Sequence, residues 1–171
     1  LRRMLMELAA LTDKLTVEWT PPSDGPERPC VRVLRADGTD TGIAFHGVPG
    51  GHEFNSFVVG LYNAAGPGQS IDPALAEAIA AIDRPLDLQI VVALYCTMCP
   101  ELVIAAQKIA ASNPLVTAKV YDVNHFPELR ERYKIMSVPC LIINKAKVAF
   151  GKKTLGQLLE LLAEPEAGQT G

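Results

Sequence analysis

Basic charge, long apolar runs and cysteine are all scarce in this chain, and each scarcity removes a class of function. The formal net charge is −3 and the isoelectric point about 5.6, so no basic face is offered to nucleic acid or to anionic lipid. No apolar stretch approaches the roughly 18 residues that would span a bilayer, and the first residues lack an apolar core followed by a cleavage site. A cytoplasmic address is the default expectation, with no membrane partner and no nucleic acid. Four cysteines, Cys30, Cys96, Cys99 and Cys140, are too few and too scattered for a disulfide framework in a chain of 171 residues. What remains is 49% hydrophobic content, enough for one larger or two smaller packed cores.

Two of the four cysteines stand close together. The apolar run from Leu88 to Leu94 ends in Tyr95-Cys96-Thr97-Met98-Cys99-Pro100, which reads as a buried strand delivering two thiols to the start of a helix. The amides and the dipole of a helix start favour a thiolate over a thiol, so Cys96 is expected to attack. Two intervening residues let Cys99 swing within bonding distance and resolve a mixed disulfide. The alternative is half of a zinc site, which usually needs four nitrogen or sulfur ligands. Cys30, Cys140, His46, His52 and His125 supply no second close pair, and the redox reading is favoured.

Taken in order, residues 1–11 place Leu1, Met4, Leu5, Leu8 and Leu11 at helical spacing. The chain begins with Leu and with a helix that no strand precedes, so the first unit is expected to be incomplete and trimmed at its N-terminus. Residues 15–20 alternate apolar and polar and predict a strand, and residues 21–28 an exposed loop. Residues 31–34 and 41–46 predict a strand pair turned at residues 36–40. After Gly47-Val48-Pro49-Gly50-Gly51, residues 53–63 predict a helix with Phe54, Phe57, Val58 and Leu61 on one face. Asp72 and Pro73 look like the N-cap and first residue of a connector helix over residues 74–82.

From residue 86 onward the pattern is strand (86–94), helix (99–112), strand (116–123), short helix (127–133), strand (138–143), strand (148–150) and helix (154–162), a mixed sheet flanked by helices. The polar tail, residues 164–171, is expected to be disordered. The predicted domain limits are therefore 1–66, a connector over 67–85, a redox unit over 86–163, and the tail.

The order of elements, the Cys96–Cys99 pair and Val138-Pro139 together resemble the thioredoxin fold. That resemblance implies a cis peptide at Pro139, a bond seen in only about 5–6% of X–Pro pairs, and backbone beside it that faces the thiols. Phe45-His46-Gly47-Val48-Pro49-Gly50-Gly51-His52-Glu53-Phe54, Cys96-Thr97-Met98-Cys99-Pro100 and Met136-Ser137-Val138-Pro139 are similar, with their spacing, to the N-terminal domain of the alkyl hydroperoxide reductase flavoprotein subunit. The resemblance covers nearly the whole chain, from the opening helix to Leu162. It implies an α/β fold of two tandem thioredoxin-like units, the first incomplete and without a CxxC, the second carrying the CxxC and a cis-proline loop.

It further implies a thiol–disulfide oxidoreductase that relays electrons from a flavin-bearing reductase module to a peroxiredoxin-type disulfide. Thr97, Met98, Val138 and Pro139 would form the face offered to the partner. Flavin and NAD(P)H belong to the separate reductase module, since no GxGxxG occurs here, and no cofactor or metal is expected in this segment besides the Cys96–Cys99 disulfide. Glu53, on composition a solvated helix-start carboxylate, would by resemblance lie across the unit interface near the thiols. There it would take the proton of Cys99 as the resolving thiolate forms.

Other residues have plainer readings. His52 is expected to pack or cap at the interface, and His125 to be a loop residue. Pro100 is a first-turn proline or a kink beneath the thiols. Cys140 reads as a small buried strand residue, with a side role in thiol chemistry as the minority view, and Cys30 as inert. A stand-alone oxidoreductase for varied client disulfides and a docking module with a vestigial CxxC are the competing functions.

Overall fold

The computed structural model describes residues 1–21 and 27–165; residues 22–26 of the expected loop and 166–171 of the expected tail lie outside the described residues. Its centre is β3 (Leu86–Val92), whose residues are almost all buried. A strand covered on both faces reads as a continuous apolar run, and Leu88-Gln89-Ile90-Val91-Val92 fits. Parallel β4 (Val116–Asp122) lies on one side of it and antiparallel β5 (Cys140–Ile143) on the other. The hairpin strand β6 (Lys147–Phe150) closes that edge.

A second hairpin, β1 (Cys30–Leu34) and β2 (Asp40–His46), joins through the parallel pairing of β2 with β4. The result is one six-stranded mixed sheet in the order β1-β2-β4-β3-β5-β6.

Helices cover both faces. Against one lie α1 (Arg2–Ala9), α2 (Glu53–Ala65), α3 (Pro73–Ala80), α4 (Cys99–Ser112) and α6 (Leu155–Ala163), where Phe57, Leu102, Ile109 and Leu158 meet Ile43, Ile90 and Leu141. The other face holds α5 (Glu128–Arg132) and its flanks, with Phe126, Leu129 and Ile135 over Val91, Tyr121 and Ile142. Two helix starts are set by their caps: Asp72 accepts from the Ala74 amide at 2.8 Å, and Thr154 with Gln157 forms a reciprocal capping box. None of the helices among the described residues is long and apolar enough to cross a membrane.

Both hairpins are entered in the same way. Arg28–Pro29 and Val138–Pro139 are cis, each directly before its strand, β1 or β5. Register then aligns Cys30, His46, Tyr121, Val91, Cys140 and Phe150 in one row across all six strands.

Three local expectations are corrected. Residues 15–20 form no strand; Trp19 is instead held beneath the Arg2 guanidinium, 4.5 Å from the ring centroid. Phe54 is 43% exposed, and α2 buries Glu53, Ser56, Phe57, Gly60, Asn63 and Ala64 instead. His52 is exposed and its side chain caps nothing; its backbone N–H does the anchoring, donating to Leu94 O at 3.0 Å.

Candidate redox site

Past β3 the chain turns sharply, the Cys96 N–H donating to Ala93 O at 2.9 Å. It then enters α4 at Cys99 with Met98 as N-cap and Pro100 in the first turn. Met98 makes no side-chain cap bond, so the first amides of α4 have no partner inside the helix. Such a terminus stabilises negative charge, which favours a thiolate when the site is reduced. Here the two sulfurs are joined: Cys96–Cys99 is a disulfide with Cα atoms 5.6 Å apart.

The pair is unequal. Cys99 is fully buried, whereas Cys96 is half-buried and has its Sγ 3.8 Å from the Val138 carbonyl oxygen. Only the outer sulfur is open to a partner, which suits attack by Cys96 and resolution by Cys99. Val138–Pro139 is cis as the resemblance implied, and Pro139 O is fixed by the Gly151 N–H at 3.0 Å. Thr97 and Met98 are exposed beside the disulfide.

Glu53 opens α2, whose start is pinned next to the redox turn. Gly51 takes φ +54, and a Cβ there would collide with the carbonyl oxygen of Leu94. Only glycine fits that approach. Further along, Gly60 faces Gln107.

The Glu53 side chain is fully buried; Ser56 Oγ is hydrogen-bonded to Oε2, and Oε1 has no partner among the described residues. Burial pushes its pKa up to about 7, against the lowering pull of the Ser56 hydroxyl. Ser56 Oγ also lies 3.0 Å from the Glu53 carbonyl. The single hydroxyl proton of Ser56 thus has two acceptors in reach, that carbonyl and Oε2, and its bond to the carboxyl only partly offsets the effect of burial.

The remaining candidates lie apart. Cys140 is fully buried in the core on the α5 face, and burial raises its thiol pKa to about 11. Cys30 Sγ lies 3.9 Å from His46 Nε2, and burial raises its pKa too. The His46 ring stacks on Tyr121 at 4.2 Å and its Nδ1 meets Glu27 O at 2.9 Å. His125 sits in the loop after β4, Nδ1 3.2 Å from Asp122 Oδ2.

Of the exposed apolar side chains here, the sequence marks Met98 but not Tyr95 or Met136. Tyr95 is 74% exposed, Met98 56% and Met136 90%, apolar side chains that stand next in sequence to the Cys96–Cys99 turn and to the loop before cis Pro139. Nothing but adjacency in sequence to Cys96 and Pro139 could have marked Tyr95 and Met136.

Comparison with known proteins agrees with this geometry. Residues 86–163 match the thioredoxin domain family. The chain is 32% identical over 165 residues to the F subunit of alkyl hydroperoxide reductase from Pseudomonas aeruginosa, covering 96% of this chain and 30% of that protein. A protein named NADH dehydrogenase from Bacillus subtilis is 30% identical over 90% of this chain and 29% of its own length. The chain thus spans about a third of these curated relatives. Among solved structures, the N-terminal domain of the F subunit of alkyl hydroperoxide reductase from Enterococcus faecalis superposes with a TM-score of 0.89 at 38% identity, covering 95% of this chain and 82% of that one. A protein disulfide oxidoreductase from Aeropyrum pernix shares the fold, with a TM-score of 0.69 at 22% identity over 79% of this chain and 58% of that one.

Proposed function

The chain belongs to the family of the N-terminal domain of the alkyl hydroperoxide reductase F subunit, and from that premise we propose that it relays electrons by dithiol–disulfide exchange to a peroxiredoxin-type disulfide. The observation that carries this reading is the asymmetric Cys96–Cys99 disulfide at the start of α4, one sulfur reachable and one buried.

In the reduced site, the Cys96 thiolate attacks one sulfur of the partner disulfide, and the partner's other sulfur leaves as a thiolate. Cys99 then attacks Cys96 in the mixed disulfide, releasing the partner fully reduced and restoring the Cys96–Cys99 bond. Two electrons have passed to the partner. For that second step Cys99 must lose a proton inside the protein. Glu53 is the acceptor in this proposal, buried, with a free oxygen and a pKa of about 7.

Val138, Pro139, Thr97 and Met98 form the docking face. By family, the electrons that reduce Cys96–Cys99 again come from a flavin-bearing reductase module supplied with NAD(P)H. The reading also includes two thioredoxin-like units, divided near residues 66 and 86. The matched cis prolines, each followed by a hairpin and a helix, support this division, as does the register row linking Cys30 to Cys140. The cytoplasm, where thiols stay reduced, is the compartment it requires.

A single-turnover experiment tests this. The pre-reduced chain, mixed with an oxidised peroxiredoxin, should lose two thiols for every two the peroxiredoxin gains. No transfer from a chain shown to hold reduced Cys96 and Cys99 would refute the relay.

A further inference from the structure

A charged side chain is buried in α4 away from the redox turn. Lys108 is 7% exposed, in the apolar run Ile104-Ala105-Ala106-Gln107-Lys108-Ile109. Its ammonium has three N–H donors yet makes one hydrogen bond among the described residues, to Pro67 O at 3.2 Å. Among the described residues no carboxylate pairs with it, and the one influence on its acidity is burial, which lowers its pKa. A buried cation without a counter-charge is unfavourable.

Lys108 lines a cavity of about 430 Å³ between α4, residues 69–71 and the start of α6. Cavities of about 300–1,000 Å³ are the size that encloses small ligands. Ile71, Ile104 and Leu155 supply apolar wall, and Gln69 is also at its edge. Asn63 Nδ2 donates to Gln69 Oε1 at 2.9 Å, which occupies the acceptor end of that amide and leaves its N–H groups over. The polar complement therefore has donors to spare. Glu101, seven residues before Lys108 on the same helix, lines the cavity as well, about 10 Å along the helix axis at 1.5 Å per residue. A second negative charge on a ligand would be repelled there.

We propose that this cavity binds a small monocarboxylate with an apolar body, its carboxylate on Lys108 and Gln69 and its hydrocarbon on Ile71, Ile104 and Leu155. The site is separate from the disulfide, and the proposal does not depend on the electron relay.

The test titrates the whole chain with octanoate, octan-1-ol and octylamine, read by calorimetry and by backbone amide NMR shifts. Octanoate should bind saturably, shift amides around residues 69–71, 104–108 and 155, and bind at least about tenfold tighter than octanol, since a hydrogen bond between charged groups is stronger than one to a neutral hydroxyl. Octylamine should bind weakest. Lys108→Met should erase the preference for octanoate over octanol, an effect that loss of the Pro67 contact alone would not produce. Ile104→Trp, which fills the cavity and keeps the lysine, should abolish binding of both. Equal affinity for octanoate and octanol, absence of saturable binding, or a preference that survives Lys108→Met would overturn the proposal.

Discussion

Cys96 Sγ lies 3.8 Å from the carbonyl oxygen of Val138, the residue whose peptide bond to Pro139 is cis. The sulfur proposed to attack and the loop proposed to hold its partner are thus one surface. Cys99 is behind them, shut off from solvent.

That asymmetry separates the two cysteine substitutions. Cys96→Ser should abolish reduction of insulin with dithiothreitol as donor, because the buried Cys99 cannot reach a protein disulfide. Cys99→Ser should still attack but stall, accumulating a mixed disulfide on Cys96 that intact-mass spectrometry detects. Equal trapping by both variants would contradict the assigned order of attack.

Met136, at 90% exposure, has almost no packing to lose. Met136→Asp should leave stability within about 0.5 kcal/mol and leave dithiothreitol reduction of Cys96–Cys99 unchanged. If this exposed apolar side chain docks the partner, KM for a peroxiredoxin-type disulfide should rise about tenfold, since a central apolar contact is worth roughly 1–2 kcal/mol. Steady-state kinetics with each reductant and acceptor check this.

Gln107 is fully buried against α2 and, among the described residues, neither of its amide atoms has a partner. Such a group costs about 1–3 kcal/mol. Gln107→Met keeps the volume and removes the unmet polarity, so it should stabilise by about 1 kcal/mol in urea unfolding. Gly60→Ala should do the reverse, by about 1–3 kcal/mol, because a Cβ there comes within 2.6 Å of Gln107 Oε1.

The reasons some elements were legible in the sequence and others were not are physical. β3 and the Cys99–Ser112 helix were visible because a doubly covered strand and a proline in a helix's first turn are written locally. Residues 15–20 carry the alternation of a strand, but alternation specifies faces and not a neighbour to hydrogen-bond. In the structure that stretch is held by Arg2 over Trp19 and by Val17 against the core. In α2 the large apolar residues suggested a face containing Phe54, whereas the buried stripe is mostly small or polar. Periodicity weighs side-chain hydrophobicity, and close approach to α4 at Gly60 selects for smallness. For the same reason the burial of Glu53 could be anticipated only from the family resemblance. The exposed Tyr95 and Met136 had no periodic signal at all.

Glu53 gives the prediction with the firmest sign. Its pKa moves from 4.5 to about 7 on folding, so the folded chain binds this proton more tightly than the unfolded one. The contribution to stability is complete below about pH 4.5, declines as pH rises through the window up to about 7, and is gone above it. At about 1.36 kcal/mol per pKa unit the fall amounts to at most about 3 kcal/mol. Glu53→Gln, neutral at every pH, should remove that slope. Urea unfolding with the disulfide intact, so that neither cysteine titrates, should find the variant close to the parent at pH 4.5 and more stable at pH 8. Catalysis should move the other way. Only ionised Glu53 can accept the Cys99 proton, so release of a partner from the mixed disulfide should quicken through about pH 7 in the parent. In Glu53→Gln it should be slower by about 10²-fold or more, as befits loss of a general base, with that inflection gone. Rapid-quench measurement of mixed-disulfide decay across pH 5.5–8.5 reads both effects. A parent profile without an inflection near 7, together with a stability difference of the stated sign, would make Glu53 a buried acid that the chemistry does not use.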